Sequence, residues 1–207
     1  MAVTTPAPHR RAVPKQARAA ATYAKLLDAA VIVLVERGLQ GFNTNVVAEA
    51  AGVNVATLYH YFPDKNAILR ELFDRNERAR VDYVVQHLGL LPTATDLRVW
   101  VSELVQHVLT ARLSEPAGAV LRRAWRAVPE LTAVEEERND SLVVAVAQAL
   151  QARYPQHTEP RLQTTARVLL TASIAVLDQA IEQPDRTQSL ADELVEVIHA
   201  RLAVFES

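Results

Sequence analysis

Residues 44–65 read TNVVAEAAGVNVATLYHYFPDK. The spacing predicts two short helices joined by a tight turn. Val46, Val47 and Ala50 give the first helix an apolar face. Gly52 allows the reversal, since glycine alone takes a left-handed backbone without a Cβ penalty. Asn54 stands where an N-cap belongs, its side-chain oxygen able to accept a free backbone N–H. Val53, Leu58 and Phe62 fall on the inner side of the second helix. Val55, Ala56, Thr57, Tyr59 and His60 are left facing out. That outward set is small, hydroxylated or aromatic. It lacks the Lys and Glu of a helix that is merely solvated. Such a surface suits close approach to another polar surface, and a DNA major groove admits one α-helix.

Thr44, Val47-Ala48, Ala51-Gly52-Val53, Thr57-Leu58-Tyr59-His60-Tyr61-Phe62 and Lys65 stand at fixed intervals. On those positions the stretch resembles the helix-turn-helix of the TetR family of transcriptional regulators. Asn54 replaces the Ser often found there, and Ala56 replaces a frequent Gly; both changes keep the helix and its cap.

The resemblance implies an all-α fold. An N-terminal three-helix DNA-binding domain would be followed by a C-terminal helical domain for effector binding and dimerisation. It also implies roles. Thr44 would hold a phosphate at the positive end of the first motif helix, and Lys65 would do so at the start of the next helix. Tyr59 and Tyr61 would offer phenolic hydroxyls to phosphates, Tyr61 alternatively being a core tyrosine. Asn45, Val55, Ala56, Thr57 and His60 would reach base edges, Val55 and Ala56 at a thymine methyl and Asn45 at adenine. Helix filler is the plainer role for Thr57, and simple surface exposure for His60.

The totals bound the rest. The chain has 207 residues and is 50% apolar, enough for a real core. It has no cysteine, which excludes disulfides, zinc-thiolate sites and cysteine nucleophiles. Net charge is −2, unevenly spread. Residues 1–75 carry nine basic and six acidic groups, leaving a deficit of five to the remainder. A basic head on an acidic body fits a protein whose head alone meets phosphate. The longest apolar run, Ala29 to Val35, is far short of the roughly 18 residues of a membrane span. No apolar signal core opens the chain, so a soluble cytoplasmic protein with no membrane partner is expected.

Outward from the motif, residues 1–14 hold three prolines and Arg10-Arg11, and read as a disordered basic arm. It would be a solvated terminus or a minor-groove arm. The DNA-binding domain would span 15–64, its first helix running from about Lys15 to Arg37 and capped at Gly38. Asp64 would cap a helix from Lys65 to about Leu88, the link into a body spanning 65–207. Prolines punctuate that body into helices over about 96–112, 120–127, 131–153, 162–182 and 187–205. The acidic run Glu135-Glu136-Glu137 is expected at a positive helix end. Over 162–182 the helix is apolar on most faces and rich in small residues. With the last helix it would form half of a four-helix bundle across a homodimer, or else close the monomer's own core. Asp178 is either a hydrogen-bonding group between helices or exposed at a seam.

Trp100, Leu104, His107, Leu121 and Trp125 are the candidates for lining an effector site, with plain core as the bland alternative. Enzyme readings fare poorly. The six histidines are scattered, with no His-x-x-x-His pair. No glycine-rich phosphate loop or Gly-x-Ser-x-Gly turn appears. No metal and no cofactor is expected. The leading expectation is a ligand-responsive repressor, a homodimer on a near-palindromic double-stranded operator, responding to a small apolar or amphipathic effector. The rivals are an activator or effector-independent repressor of the same fold, and a helical interaction module that binds no DNA.

Overall fold

The computed structural model describes residues 17–114 and 118–206, without the side chain of Glu130. Among them every regular element is helical. In order these are α1 Ala17–Gly41, α2 Thr44–Ala50, α3 Val55–Tyr61, α4 Lys65–Leu88, α5 Leu97–Leu113, α6 Gly118–Arg126, α7 Pro129–Arg153, α8 Glu159–Glu182 and α9 Thr187–Ala203. Single 3-10 turns at Leu91–Thr93 and Pro184–Arg186 precede α5 and α9. The expected arm, 1–14, lies outside the described residues, as do Lys15 and Pro116.

The chain divides into two compact units. One comprises the residues up to Arg75 together with Val120–Val128; the other comprises Asn76–Ala119 and the chain from Pro129 on. α4 supplies its first half to one unit and its second half to the other. The boundary expected at residue 64 therefore falls a few turns before the point where this division comes.

In the first unit, Leu26, Leu27, Ala30, Val33 and Leu34 recur every three or four residues along α1 and are buried. The helix was expected to end at Gly38. Gly38 does take positive φ, +62°, but helical bonding resumes for a last turn to Gly41. Phe42 then packs inward as expected. On α2 the apolar face is Val47 and Ala48, with Val46 half-buried. Ala50, expected inside, is exposed, while the neglected Ala48 is buried. Seven residues make only two turns, so a one-position rotation changes which alanine meets the core. On α4, Ile68, Leu69, Leu72 and Phe73 are buried as expected. α6 also belongs to this unit. Its Trp125 ring stacks on Phe73 at 3.9 Å between centroids.

In the second unit the core gathers Trp100, Val101, Val105 and Leu109 of α5, Leu150 of α7, Leu162, Ala166 and Leu177 of α8, and Leu194, Ile198 and Leu202 of α9. α7 opens on Pro129 and α8 has Pro160 in its first turn, where a missing N–H costs nothing. Both helices thus begin earlier than expected. Glu135–Glu137 consequently lie beyond the first turn of α7, out of reach of the helix-end effect invoked for them. Two polar clasps brace the core. His87 Nε2 lies 2.9 Å from the Trp100 carbonyl, and Trp100 Nε1 donates to the His87 carbonyl at 3.2 Å. Arg153 Nη1 donates to the Leu91 and Ala94 carbonyls at 2.9 and 2.8 Å, and its Nη2 pairs with Glu206 at 2.7 Å.

Asp178 is buried. Its carboxylate accepts a hydrogen bond from Arg112 Nη1 at 2.7 Å, joining α8 to α5. In the single chain one side of α8, expected to be covered by a second copy or by the monomer's own core, is open: Val168 is 59% exposed, and Thr164, Thr171 and Ala175 share its outward side. α8 is also long and apolar enough to cross a membrane by length and composition alone, with only 28% of its most apolar window buried.

The Arg112–Asp178 pair sets a stability test. Breaking a buried pair by removing one partner costs about 3–5 kcal/mol. Asp178→Ala is expected to lower the unfolding free energy by up to about that much in urea titration. Arg112→Met with Asp178→Leu together is expected to recover most of the loss, because apolar side chains then replace both charges. Equal damage from the single and double variants would contradict this.

Candidate nucleic-acid interface

The site is built on α2, the turn, α3 and the start of α4. Gly52 has φ +59°, so the reversal uses the left-handed backbone anticipated for it. Asn54 Oδ1 accepts the Ala56 N–H at 2.8 Å, capping α3. Asp64 Oδ1 accepts the Ala67 N–H at 2.8 Å and starts α4. One cap escaped sequence reading. Asn43 Oδ1 accepts the Val46 N–H at 3.0 Å and caps α2. An Asn three residues ahead of an apolar pair was the available signal, hidden because Thr44 beside it is also a good cap.

α3 is anchored by Leu58, fully buried, and by Phe62 at its end. The Phe62 ring stacks on Tyr23 of α1 at 5.1 Å. With the inner side held, Val55, Ala56, Tyr59 and His60 are exposed and Thr57 is half-buried. Asn45 is exposed on α2, Lys65 is exposed at the first residue of α4, and Thr44 is half-buried. Tyr61 is half-buried too, its ring edge-on to Tyr23 at 5.8 Å. That placement serves either of its two roles, core packing or a hydroxyl at the rim.

The cap assignment has a chemical consequence. Because Asn43 caps α2, the Thr44 hydroxyl is not tied to its own helix. It lies 3.0 Å from the Tyr59 hydroxyl, fifteen residues on. Two hydroxyls carry two hydrogens. Whichever donates, this bond uses one and fixes the direction of both side chains across the α2–α3 corner. A phosphate oxygen arriving there meets paired hydroxyls already oriented. The face of α3 between Val55 and His60 carries no carboxylate to repel it.

The effector candidates are not gathered in one unit. Trp100, Leu104 and His107 are in the second, Leu121 and Trp125 in the first. Trp100 is buried with its indole N–H on the His87 carbonyl. Leu104 is half-buried, and His107 is exposed with its ring stacked on Tyr83. Leu121 and Trp125 are buried. The Trp125 indole N–H meets no acceptor among the described residues. Among those residues no group of three or more His, Asp or Glu side chains could hold a metal ion.

The sequence pattern described as "Bacterial regulatory proteins, tetR family" matches residues 26–72. That of the "Tetracyclin repressor-like, C-terminal domain" matches residues 96–202. An uncharacterized HTH-type transcriptional regulator of Mycobacterium tuberculosis is 33% identical over 123 residues, 55% of this chain and 53% of that protein. The chain thus spans about half the length of the curated relatives it matches. Among solved structures, a protein described as a TetR-family transcriptional regulator from Mesorhizobium loti superposes with a TM-score of 0.69 at 19% identity, over 89% of this chain and 98% of that one. The fatty acid degradation regulator FadR from Bacillus halodurans superposes with a TM-score of 0.61 at 21% identity, over 87% and 94%.

Tyr59→Phe keeps the ring and removes the hydroxyl. A hydrogen bond to a charged group is worth about 1.5–3 kcal/mol, so DNA affinity in fluorescence anisotropy is expected to fall at least about tenfold, alike on preferred and scrambled duplexes. The thermal melt is expected to stay within about 0.5 kcal/mol of wild type, as for other exposed positions. Unchanged affinity would remove the hydroxyl pair from the interface.

Proposed function

The chain belongs to the TetR family; from that premise we propose that it is a DNA-binding transcription regulator, a ligand-responsive repressor that binds a near-palindromic operator as a homodimer. The observation that carries the reading is the uncharged outer side of α3 beside the Thr44–Tyr59 hydroxyl pair. In this reading Asn45, Val55, Ala56, Thr57 and His60 read bases. Thr44, Tyr59, Tyr61 and Lys65 hold phosphates, fixing register without carrying sequence information.

A two-fold operator asks for a two-fold protein, with recognition helices one DNA turn, about 34–36 Å, apart. The exposed side of α8, with Val168 and small or hydroxylated neighbours, supports a partner helix packed against it. So does α9, where Val197 is 50% exposed and Ala200 is exposed beside it. Small residues let helices approach closely. Covering by a second copy accounts for the apolarity of α8 without a membrane, and Asp178 within the same helix already has its counter-charge. A protein with this partner and this DNA target works in the cytoplasm.

The effector is a small apolar or amphipathic molecule. Support comes from the apolar body and from the buried Trp125 N–H, which an effector oxygen would satisfy. Likeness to the B. halodurans fatty acid degradation regulator is a likeness of fold, so the ligand class here rests on these side chains. The effector acts by binding better to a conformation that holds the two heads at the wrong separation. A coupling of about 1–3 kcal/mol lowers operator affinity about 5–150-fold.

Gel shifts on the DNA upstream of the chain's own gene test the reading. A sequence-preferring, salt-sensitive band with two chains per site is the expected result. Val168→Glu with Val197→Glu is expected to give a folded monomer in sedimentation that no longer forms that band. Binding with no preference over scrambled DNA would overturn the regulator reading, and a monomer that binds as tightly would overturn the dimer.

A further inference from the structure

Lys25 projects from α1, outside the helix-turn-helix, and is exposed. Its amine reaches the corner between α2 and α3: a Cβ placed on Gly52 would lie 3.6 Å from Lys25 Nζ. Among the described residues Lys25 makes no ion pair. Asp28, one turn further along α1, is engaged by Arg75 at 3.2 Å and so is not its counter-charge. The Lys25 side-chain nitrogen thus lies over the turn that leads into α3. Gly52, lacking a side chain, leaves that place open to it.

The position has a meaning for DNA. A recognition helix enters the major groove with its N-terminal residues on the bases, while the preceding helix crosses the backbone. The turn joining them is therefore level with the sugar–phosphate wall. α3 itself brings no Lys or Arg, and its outward hydroxyls are neutral. We propose that Lys25 is a further DNA-positioning residue, which neutralises one backbone phosphate beside the α2–α3 turn. It acts beside Lys65, which is exposed at the first residue of α4. The inference rests on the DNA-binding reading of α3 and adds a residue that the motif does not contain.

A structural lysine and a phosphate-binding lysine differ in how they respond to salt. Each neutralised phosphate contributes about 0.9 to the slope of log affinity against log salt on duplex DNA. The probe is a 30-base-pair duplex enriched from a random pool by the wild-type protein, with a scrambled duplex beside it. If no duplex is enriched, the regulator reading fails and Lys25 is not at issue. With a duplex in hand, Lys25→Ala removes one such lysine from each protomer of the dimer and is expected to flatten the slope by about 1.8, so that the advantage of wild type shrinks about 12-fold between 50 and 200 mM salt. Lys25→Arg keeps the charge and is expected to restore the wild-type slope. The preference for the enriched over the scrambled duplex is expected to stay unchanged, because a phosphate contact reads no base. A Lys25→Ala line parallel to wild type overturns the proposal, whatever the absolute affinity, since a loss of folded protein shifts the line without tilting it.

Discussion

Everything on the recognition side hangs from a backbone reversal at Gly52, whose φ is +59°. A side-chain-bearing residue pays roughly 1–2 kcal/mol for that conformation. The reversal fixes where α3 sits against α2 and α1, and that placement decides which residues face out. Asn54 can cap α3 only because the chain leaves the turn extended, and the cap then defines α3 as beginning at Val55. Leu58, fully buried, locks the rotation of the helix. With reversal, cap and anchor fixed, the exposure of Val55, Ala56, Tyr59 and His60 has no remaining freedom. The outward surface of α3 is a geometric consequence of the inner side.

The motif was legible because its signals are local. A glycine between helical stretches, an Asn before one helix and an Asp before the next act over two to four residues, and a sequence exposes such ranges directly. Body contacts are of another kind. Arg112 and Asp178 are sixty-six residues apart, and no spacing rule links them. Asp178 alone therefore left two readings open, a bond between helices or a seam. The assignment of α6 to the first unit is equally invisible, since it depends on Trp125 meeting Phe73. That is why one set of effector candidates drawn from α5 and α6 is divided between units. The errors at Ala48, Ala50 and Pro160 have a smaller cause: apolar periodicity locates a helix well and its first turn poorly, because an end is set by caps and prolines.

α8 illustrates what an isolated chain withholds. Its sequence is apolar enough to be enclosed, yet much of it is exposed in the single chain. Burial predicted from composition is burial in the working assembly, and hydrophobicity does not say whose atoms do the covering. The inward side of α8 is accounted for by Leu162, Ala166 and Leu177 in the core of the second unit. The outward side, Thr164, Val168, Thr171 and Ala175, is narrow and low. Short side chains offer little area per residue, so what they permit is closeness. A helix can pack on such a stripe with good dispersion contact, whereas loose hydrocarbon gains little from it. The shape of this face thus argues for a matched helical partner more than its hydropathy does.

A last consequence follows from where charge is absent. Affinity for duplex DNA comes mostly from phosphates, and specificity comes from base edges and from the energy of deforming the DNA. A recognition helix bearing Arg or Lys does both jobs at once. α3 bears neither, and offers methyls, hydroxyls and an imidazole. Its contribution to long-range, charge-driven attraction is therefore small. In the DNA-binding reading proposed above, the charges that draw the protein to DNA stand around the helix, Lys25 on α1 and Lys65 at the start of α4. Base preference is then set by side chains whose contacts depend weakly on salt, and residence on DNA by side chains whose contacts depend on it strongly. In such a division, substitutions at Val55, Ala56, Thr57 or His60 alter which sequence is preferred with little effect on how the protein finds DNA, whereas Tyr59 and Tyr61 of the same helix act on phosphates. Substitutions in the surrounding cations do the reverse. The separation is a property of this sequence, in which Asn54 and Ala56 open a recognition helix with no cation on its outer side.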